Sequence, residues 1–454
     1  MKKKDLQSTN DNIRMTFVND SIGRNKELVH FISIIDSIDE SYSIALDSYW
    51  GSGKTFFVKQ VKMILDTITE ESYCEVEGGN SILSTWTSVS QDMKLKKHVP
   101  IYYDAWANDC DDDPIYSLVY QMVLDTENNK GIKDKICFSD VLSVAGKITG
   151  VIAGFDPNDI ADAFKKDGFL KTLHERKDID KRIEEYIDKL LPEGCDRLLI
   201  IIDELDRCNP KFAMRLLEQI KHYFNNERIT FVFSVNLVEL QHTVKQYYGK
   251  DFNASRYLDR FFDLRVSLPP PDINKFFELI QFYDERGTVD LLMKYVFKKY
   301  NMQMRDCTRY LSILNAVKYR KGYDFTAELN NTERIIVKII LPIIWGIMVT
   351  DIQKYNDFVS GKDYSELLNI LSDRELLSYL NRELALLYEN GFWGQLNVAD
   401  NIEDLHQRLK NFCDRLILTR ENGSIGVCKF GDVESDFFFQ TLSLLSNNTM
   451  LRDM

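Results

Sequence analysis

Residues 46–55 read Leu-Asp-Ser-Tyr-Trp-Gly-Ser-Gly-Lys-Thr, and this stretch decides the fold of the region around it. Successive backbone N–H groups can cradle a triphosphate only where the chain turns tightly, and Gly51 and Gly53 permit such a turn. Lys54 would then reach the β- and γ-phosphates, and the hydroxyl of Thr55 would ligate Mg²⁺. The stretch therefore predicts a loop that binds a nucleoside triphosphate.

The flanking residues predict a strand before this loop and a helix after it. Residues 43–46, Ser-Ile-Ala-Leu, form an apolar run, and apolar residues recur at helical spacing over 56–65. The usual phosphate-loop pattern begins with glycine, whereas this chain has Ser48, so a residue with a Cβ must make the first turn. A chance Gly-Ser-Gly turn is the alternative, and a second motif argues against it.

That second motif, residues 197–207, reads Arg-Leu-Leu-Ile-Ile-Ile-Asp-Glu-Leu-Asp-Arg. A continuous apolar strand is typical of the middle of a parallel sheet that helices cover on both faces. Asp203 at its carboxyl end would hold Mg²⁺ through water, and Glu204 would orient and deprotonate the attacking water. Ordinary solvated acids after a buried strand are the alternative.

Two more segments fit the same sheet. Residues 229–235 form another buried-strand run, which Asn236 follows, and residues 99–106 predict a strand that runs into Asp104 and Trp106. Asn236 would contact the γ-phosphate and the attacking water as a sensor, or it would cap the helix that follows. Together the segments predict a parallel sheet that helices cover on both faces.

The chain resembles the KAP family of P-loop NTPases over residues 18–270. The segments that carry the resemblance are 21–28, 49–55, 103–106, 201–208 and 257–262. This chain departs from the family at Ser48, at Asp104 where asparagine is frequent, and at Glu204 where a second aspartate is common. The resemblance implies an α/β fold with a doubly wound, mostly parallel sheet, which forms a P-loop NTPase core of the ASCE type, followed by an all-helical C-terminal region.

The resemblance also implies a set of site residues. Those implied to contact the nucleotide are Gly23, Arg24, Trp50, Gly51, Ser52, Gly53, Lys54, Thr55, Phe56 and Asn236. Those implied to hold Mg²⁺ are Thr55 and Asp203, and those implied to act in catalysis are Glu204, Lys54 and Arg260.

Two arginines keep alternative interpretations. Arg260 would reach a γ-phosphate in the same chain or in a neighbouring subunit, or it would form a surface ion pair with Asp259 or Asp263. For Arg207, local pairing with Asp206 or Glu204 is favoured over a catalytic role.

The activity that the resemblance implies is Mg²⁺-dependent ATP hydrolysis that drives conformational switching or assembly, in a prokaryotic anti-phage defence system. Its implied partners are ATP, further copies of the chain in a homo-oligomer, and a separate effector protein. An ATP-gated scaffold that recruits an effector with little hydrolysis is the alternative. A nucleic-acid motor is disfavoured, because the net charge of −13 argues against broad electrostatic binding of nucleic acid.

Composition places the chain in the cytoplasm. The eight cysteines stand singly with no Cys-x-x-Cys spacing, which favours reduced thiols. The opening Met-Lys-Lys-Lys precedes polar residues, so no signal peptide is expected.

Residues 141–155 and 335–349 are apolar but shorter than the roughly 20 residues of a membrane span. We interpret 335–349 as a buried helix, with a membrane segment as the alternative. We expect 141–155 to pack on the NTPase domain, with a peripheral membrane contact as the lesser alternative.

The 454 residues predict several domains. We expect a tail over 1–17, an NTPase domain over 18–270 with a helical insertion at about 125–195, and a helical region over 271–454. Three prolines at 269–271 block helix and central strand, so they mark the exit from the core. In the helical region, Arg305 or Arg309 is a candidate nucleotide sensor, with exposed helix charge as the alternative. The aromatic-rich stretch 390–454 would form a core or a partner surface.

Overall fold

The computed structural model describes residues 8–70, 79–111, 113–128, 195–224, 226–280, 287–318, 331–387 and 401–418. The chain forms two compact units, Met1–Leu279 and Ile280–Met454. Most of the predicted insertion, including 141–155, and the aromatic stretch after 418 lie outside the described residues.

The first unit is built on one sheet of five parallel strands. They are β1 Tyr42–Asp47, β2 His98–Asp104, β3 Arg197–Asp203, β4 Ile229–Val235 and β5 Leu264–Ser267. Their order is β2-β3-β4-β1-β5. In the register, Asp104 lies beside Asp203 and Asp47 lies beside Val235, so the carboxyl ends of four strands meet at one edge.

Helices cover both faces of this sheet. The main ones are α1 Asn10–Val18, α2 Asn25–Asp36, α3 Lys54–Glu70, α4 Gly79–Ser90, α5 Pro114–Asn128, α6 Pro210–Tyr223, α7 Leu237–Tyr248, α8 Ala254–Leu258 and α9 Ile273–Ile280. A short 3₁₀ turn, Leu205–Arg207, follows β3.

Alternate residues of β3 belong to two separate hydrophobic cores. Leu199 and Ile201 pack with α2, α3 and α4, whereas Ile200 and Ile202 pack with α5, α6 and α7. Successive side chains of a strand point to opposite faces, so a strand that is apolar throughout needs helices on both sides. All seven residues of β3 are buried, and so are all seven of β4. The predicted parallel sheet with covering helices is confirmed.

Every element that the structure describes between 288 and 418 is helical. The helices are α10 Thr288–Lys299, α11 Met304–Lys318, α12 Asn331–Ile335, α13 Leu341–Thr350, α14 Ile352–Val359, α15 Ser365–Ile370, α16 Arg374–Leu384 and α17 Ile402–Leu418. A 3₁₀ turn, Ala385–Leu387, follows α16.

The apolar segment 335–349 is a buried helical segment, as predicted. A π-helical turn, Ile336–Ile340, joins α12 to α13. Every residue of 335–349 except Met348 is buried, and Trp345 is among the largest fully buried side chains. Pro342 has no N–H to donate to the preceding turn, and a local π turn accommodates that loss. Among the described residues, no helix is both long and apolar enough to cross a membrane.

Candidate functional site

The loop between β1 and α3 turns at its two glycines. Gly51 and Gly53 have φ values of +83° and +89°, a region that L side chains rarely adopt. Ser48 lies outside that region. Its backbone N–H donates to the carbonyl of Val235 at 3.3 Å, and its hydroxyl donates to the carbonyl of Leu268 at 3.4 Å. Serine therefore replaces the glycine at 48 without backbone strain.

Lys54 begins α3 and folds back over the loop. Its ammonium donates to the carbonyl oxygens of Ser48 at 2.6 Å and Tyr49 at 3.2 Å. Burial lowers its pKa, while the nearby carboxylates of Asp206 and Asp203 oppose that shift. The positive charge thus lies inside the loop, where a phosphate chain would be cradled.

The acids at the end of β3 reach the first turn of α3. The hydroxyl of Thr55 donates to Oε1 of Glu204 at 3.3 Å. The carboxylate of Asp203 is buried and accepts from the hydroxyl of Tyr102 at 3.0 Å and from the backbone N–H of Glu204 at 3.0 Å. The structure therefore brings together three of the residues that the sequence selected, from segments about 150 positions apart.

Glu204 occupies an unusual backbone position. Its φ of 60° and ψ of 24° are left-handed, which is costly for a residue with a side chain and is concentrated at functional sites. Burial raises the pKa of its carboxyl, and the positive charge of Arg207 opposes that shift. Oε2 accepts from Nη1 of Arg207 at 2.6 Å, so the local pairing expected for Arg207 is present. The same guanidinium lies over the ring of Trp106 at 5.4 Å.

Two contacts of this site were missed by sequence reasoning. The indole N–H of Trp50 donates to Oδ2 of Asp206 at 2.5 Å, which ties the phosphate loop to the turn after β3. Burial raises the pKa of Asp206, and the Trp50 hydrogen bond and Lys54 oppose that shift. Tyr102, which holds Asp203, has a raised pKa because of burial and the adjacent carboxylate, so its hydroxyl stays protonated and donates. Placing β2 beside β3 would have identified Tyr102.

Asn236 is the helix cap that one interpretation predicted. Its side-chain oxygen accepts from the backbone N–H groups of Val238 at 3.1 Å and Glu239 at 3.5 Å, at the start of α7. It lies at the carboxyl end of β4, beside the strand that leads into the phosphate loop. Its role as a sensor stays a prediction.

Gly23 and Arg24, two of the residues implied to contact the nucleotide, lie directly before α2. Gly23 has a φ of +67°, and a Cβ there would approach the Cβ of Asp272 to 2.8 Å. Arg24 is 2% exposed, and Nη2 donates to the carbonyl of Pro269 at 2.6 Å. Burial lowers its pKa to about 10. Nε and Nη1 of Arg24 are buried without a hydrogen-bond partner in the described structure, as is the hydroxyl of Ser52 in the phosphate loop. Phe56 is half-buried in the first turn of α3.

Arg260 is not brought to this site. It is exposed on the segment between α8 and β5, which leads to Asp263. Asp263 accepts from the backbone N–H of Ser43 at 2.8 Å, at the amino end of β1 and thus opposite the phosphate loop. Asp259 pairs with Arg265. Both acids expected to pair with Arg260 therefore have other partners.

The two sensor candidates in the second unit, Arg305 and Arg309, are exposed on α11, as the alternative interpretation of exposed helix charge predicted.

The donors at the strand ends suit Mg²⁺. The Thr55 hydroxyl and the Asp203 carboxylate are oxygen ligands, and Mg²⁺ is commonly held by one or two such groups together with substrate phosphates and water. The hydrogen bond that joins Thr55 to Glu204 shows that the phosphate loop and the β3 acids share one small space.

A parallel sheet whose first strand enters a glycine turn followed by Lys-Thr, with acids on a neighbouring strand, defines a P-loop NTPase fold. Residues 24–320 match the KAP family P-loop domain, and the chain belongs to that family. No curated protein matches the chain.

Several solved structures are similar in a general way. The Aeropyrum pernix ORC2 protein in its ADPNP-ADP complexes aligns at 13% identity over 87% of this chain and 93% of that chain, with a TM-score of 0.35. The structure of Drosophila ORC bound to poly(dA/dT) DNA and Cdc6 aligns at 12% identity over 96% of this chain and 60% of that chain, with a TM-score of 0.35. The C. elegans PCH-2 structure aligns at 12% identity with a TM-score of 0.20, over 83% of this chain and 71% of that chain. At these scores the similarity supports no conclusion about function or assembly.

Proposed function

We propose that this protein binds ATP with Mg²⁺ and hydrolyses it to drive conformational switching or assembly. The observation that carries the proposal is the 3.3 Å hydrogen bond between Thr55 and Glu204. It places the first helical turn after the phosphate loop against the acid that follows β3. A phosphate held by the loop would therefore lie beside a carboxylate that can accept a proton from water.

Each residue of this group has a separate task. Lys54 would bind the β- and γ-phosphates with its ammonium, and Thr55 and Asp203, the latter oriented by Tyr102, would hold Mg²⁺, which would neutralise phosphate charge. A Thr55 hydroxyl engaged in this way would leave Oε1 of Glu204 free to accept a proton from the attacking water. The raised pKa of Glu204 makes it a better proton acceptor than an exposed glutamate.

The strand order supports assigning the core to the ASCE type. In that type another strand separates the phosphate-loop strand from the strand that carries the acids, and here β4 lies between β1 and β3. Glu204, directly after Asp203, occupies the position of the water-activating acid.

Arg260 is assigned to a neighbouring subunit. Ser43 and Asp47 are four residues apart on β1, which is about 13 Å along a strand. The segment that carries Arg260 enters the sheet at the Ser43 end, whereas the phosphate loop follows Asp47. An exposed arginine without an ion pair among the described residues is available to a second copy of the chain. This supports a homo-oligomer in which Arg260 completes the next site.

The biological setting and domain roles belong to the same proposal. The proposal places the protein in a cytoplasmic anti-phage system with a separate effector, and it keeps 18–270 as an NTPase domain and 271–454 as a helical region. Plating efficiency of phages on cells with the wild type or Lys54→Ala tests the setting. Protection that is equal for the two proteins contradicts a defence role that depends on the nucleotide.

The scaffold alternative also has an observation in its favour. Both carboxylate oxygens of Glu204 have partners, Thr55 and Arg207, and these contacts compete with a water molecule for the base. A chain that keeps these contacts after it binds ATP would hold the nucleotide without hydrolysing it.

Glu204→Gln separates the two functions. The amide keeps the shape of the side chain but cannot accept the proton, so an ATPase should bind ATP as before and lose turnover by about 10²–10⁴-fold. The measurement is phosphate release together with ATP affinity. Glu227→Gln, at an exposed position before β4, is the matched control. Unchanged turnover in Glu204→Gln contradicts the assigned base, and a wild type without turnover supports the scaffold.

A further inference from the structure

A cavity of about 550 Å³ lies beside α3, one to three turns beyond Thr55. We call it the α3 cavity. Residues of α1, α3, α5 and β2 line it, with Ile82 of α4. Its volume is within the range of roughly 300–1,000 Å³ that is typical of sites for small molecules. The nucleotide residues described above do not line it.

Two of the three basic side chains that line the α3 cavity form ion pairs with carboxylates of the protein. Arg14 pairs with Asp11 at 3.2 Å. Lys62 pairs with Asp66 at 3.0 Å and also donates to the carbonyl of Pro100 at 3.0 Å, which covers the outer edge of β2. These groups therefore serve the protein's own structure.

Lys59 is the third cation, and it has no carboxylate partner among the described residues. Its ammonium lies 4.8 Å from the centre of the Tyr102 ring and 3.4 Å from the hydroxyl of Ser8. Asp125, the third carboxylate of the lining after Asp11 and Asp66, accepts from the backbone N–H of Tyr102 at 3.1 Å and from Gln121 at 2.9 Å, and it lies 3.9 Å from Lys62. A half-buried ammonium that faces a cavity while the carboxylates there are engaged by other groups favours an anion beside it. Apolar side chains of Ile13, Met63 and Ile82 line the same cavity.

Tyr102 separates the α3 cavity from the candidate catalytic acids. Tyr102 lines the cavity with the Lys59 ammonium over its ring, and its hydroxyl donates to Oδ2 of Asp203 at 3.0 Å. A molecule that draws Lys59 away from the ring changes the support of Tyr102. Because Tyr102 orients Asp203, such a change reaches the metal-binding carboxylate.

We propose that the α3 cavity binds a small organic anion, whose charged group pairs with Lys59 and whose apolar body packs against Ile13, Met63 and Ile82. Its occupancy adjusts the position of Asp203 through Tyr102. The binding step is independent of the proposed ATPase function, whereas the effect on turnover rests on it.

Binding is tested with 8-anilinonaphthalene-1-sulfonate, a fluorescent organic monoanion with aromatic rings. Lys59→Met keeps the length of the side chain without its charge and should weaken binding at least tenfold. Lys59→Arg, the matched control, should bind within about threefold of the wild type. Met63→Trp, which fills the cavity and leaves Lys59 in place, should also lose binding. Circular dichroism confirms that each variant is folded.

Two results overturn the site. One is equal binding by the wild type and folded Lys59→Met, and the other is no binding by the wild type. Binding that persists in folded Met63→Trp overturns the location, because the probe is then held elsewhere on the surface.

The coupling is tested by the Mg²⁺ dependence of phosphate release with and without saturating probe. In the wild type the probe should shift the half-saturating Mg²⁺ concentration at least twofold. In Tyr102→Phe, which keeps the ring and loses the hydroxyl, the probe should still bind but the shift should disappear. A shift that persists in Tyr102→Phe contradicts the link. A wild type that binds probe and releases no phosphate contradicts the proposed ATPase and leaves the binding site standing.

Discussion

The serine at the first turn of the phosphate loop shows how a single residue depends on its backbone conformation. A glycine is required only where φ is positive, and in this loop that applies to Gly51 and Gly53. Ser48 keeps an ordinary conformation and uses both its N–H and its hydroxyl in hydrogen bonds to neighbouring strand ends. The departure from the usual pattern therefore changes side-chain contacts and not the path of the chain.

Restoring that glycine should do little for nucleotide binding. Ser48→Gly loses one long hydrogen bond and gains unfolded-state entropy, so we expect a loss of about 1 kcal/mol in unfolding free energy. ATP affinity should stay within about twofold. Gly51→Ala is the contrasting variant, because a Cβ at positive φ costs roughly 1–2 kcal/mol. Urea unfolding and ATP titration measure both. A tenfold gain in ATP affinity for Ser48→Gly would show that the loop is strained by serine.

At the scale of single residues, the sequence identified site residues that stand in motifs. It missed residues whose role depends on a contact with a residue distant in the sequence. Lys54, Thr55, Asp203 and Glu204 stand in recognisable patterns, and the structure brings them together. Tyr102 lies outside the motifs, and Asp206 lies within the second motif but received no role of its own from the sequence. Tyr102 matters only because the register of β2 against β3 brings its hydroxyl to Asp203, and Asp206 matters only because the 3₁₀ turn directs it to Trp50.

At the scale of elements, a buried histidine joins the start of β2 to the end of α2. Nε2 of His98 lies 3.0 Å from Oδ1 of Asp36, and its ring is fully buried. Burial lowers the pKa of His98, and the Asp36 carboxylate opposes that shift. The unfolded chain takes up the proton near the ordinary value of 6.5, while the folded chain takes it up only at lower pH.

Stability should therefore fall as the solution is acidified through this window. A group whose pKa is lower in the folded chain than in the unfolded chain stabilises the fold at any pH above its unfolded pKa. That contribution is lost as the pH falls toward its folded pKa. Between pH 7.5 and 5.5, urea unfolding should show a larger loss for the wild type than for His98→Gln, by at most about 1.4 kcal/mol per pH unit. His30→Gln, at an exposed position of α2, is the control and should follow the wild type. Identical slopes for wild type and His98→Gln would contradict the assignment.

A second element-scale prediction concerns the packing of α13 in the helical unit. A Cβ at Gly346 would overlap Cγ1 of Val296 on α10, far inside van der Waals contact. Gly346→Ala should lower the unfolding free energy by about 1–3 kcal/mol through overpacking. Adding Val296→Ala should make the Gly346→Ala step less costly, which a double-mutant cycle by urea unfolding measures. Additive effects of the two changes would show that these helices do not share this contact.

For the whole molecule, the class of sheet was predictable from sequence. Four apolar runs and the phosphate loop were enough for a parallel sheet with helices on both faces, because buried parallel strands must be apolar throughout. The position of Arg260 was not predictable. Its local sequence allows an ion pair with either flanking acid, and only the sheet shows that Asp263 and Asp259 have other partners.

Subunit mixing tests the assignment of Arg260 to a neighbouring copy. Lys54→Ala and Arg260→Ala should each lose most ATP turnover, since an arginine at the transferring phosphate is worth about 10³–10⁵-fold in rate. A mixture should recover turnover, because a site with intact Lys54 can receive an intact Arg260 from the other variant. Arg256→Ala, at an exposed position of α8, is the matched control and should stay active alone.

Two results count against this arrangement. One is a mixture that is no more active than its parts, and the other is a protein that stays monomeric in light scattering with and without ATP while Arg260→Ala is inactive.

The central claim is that Lys54 and the β3 acids form a working ATPase site, and Mg²⁺-dependent phosphate release from ATP by the wild type and Lys54→Ala tests it most directly. We expect turnover by the wild type that stops when Mg²⁺ is chelated and is lost in folded Lys54→Ala. Equal phosphate release by the two proteins, or a wild type that binds ATP and releases none, would contradict it.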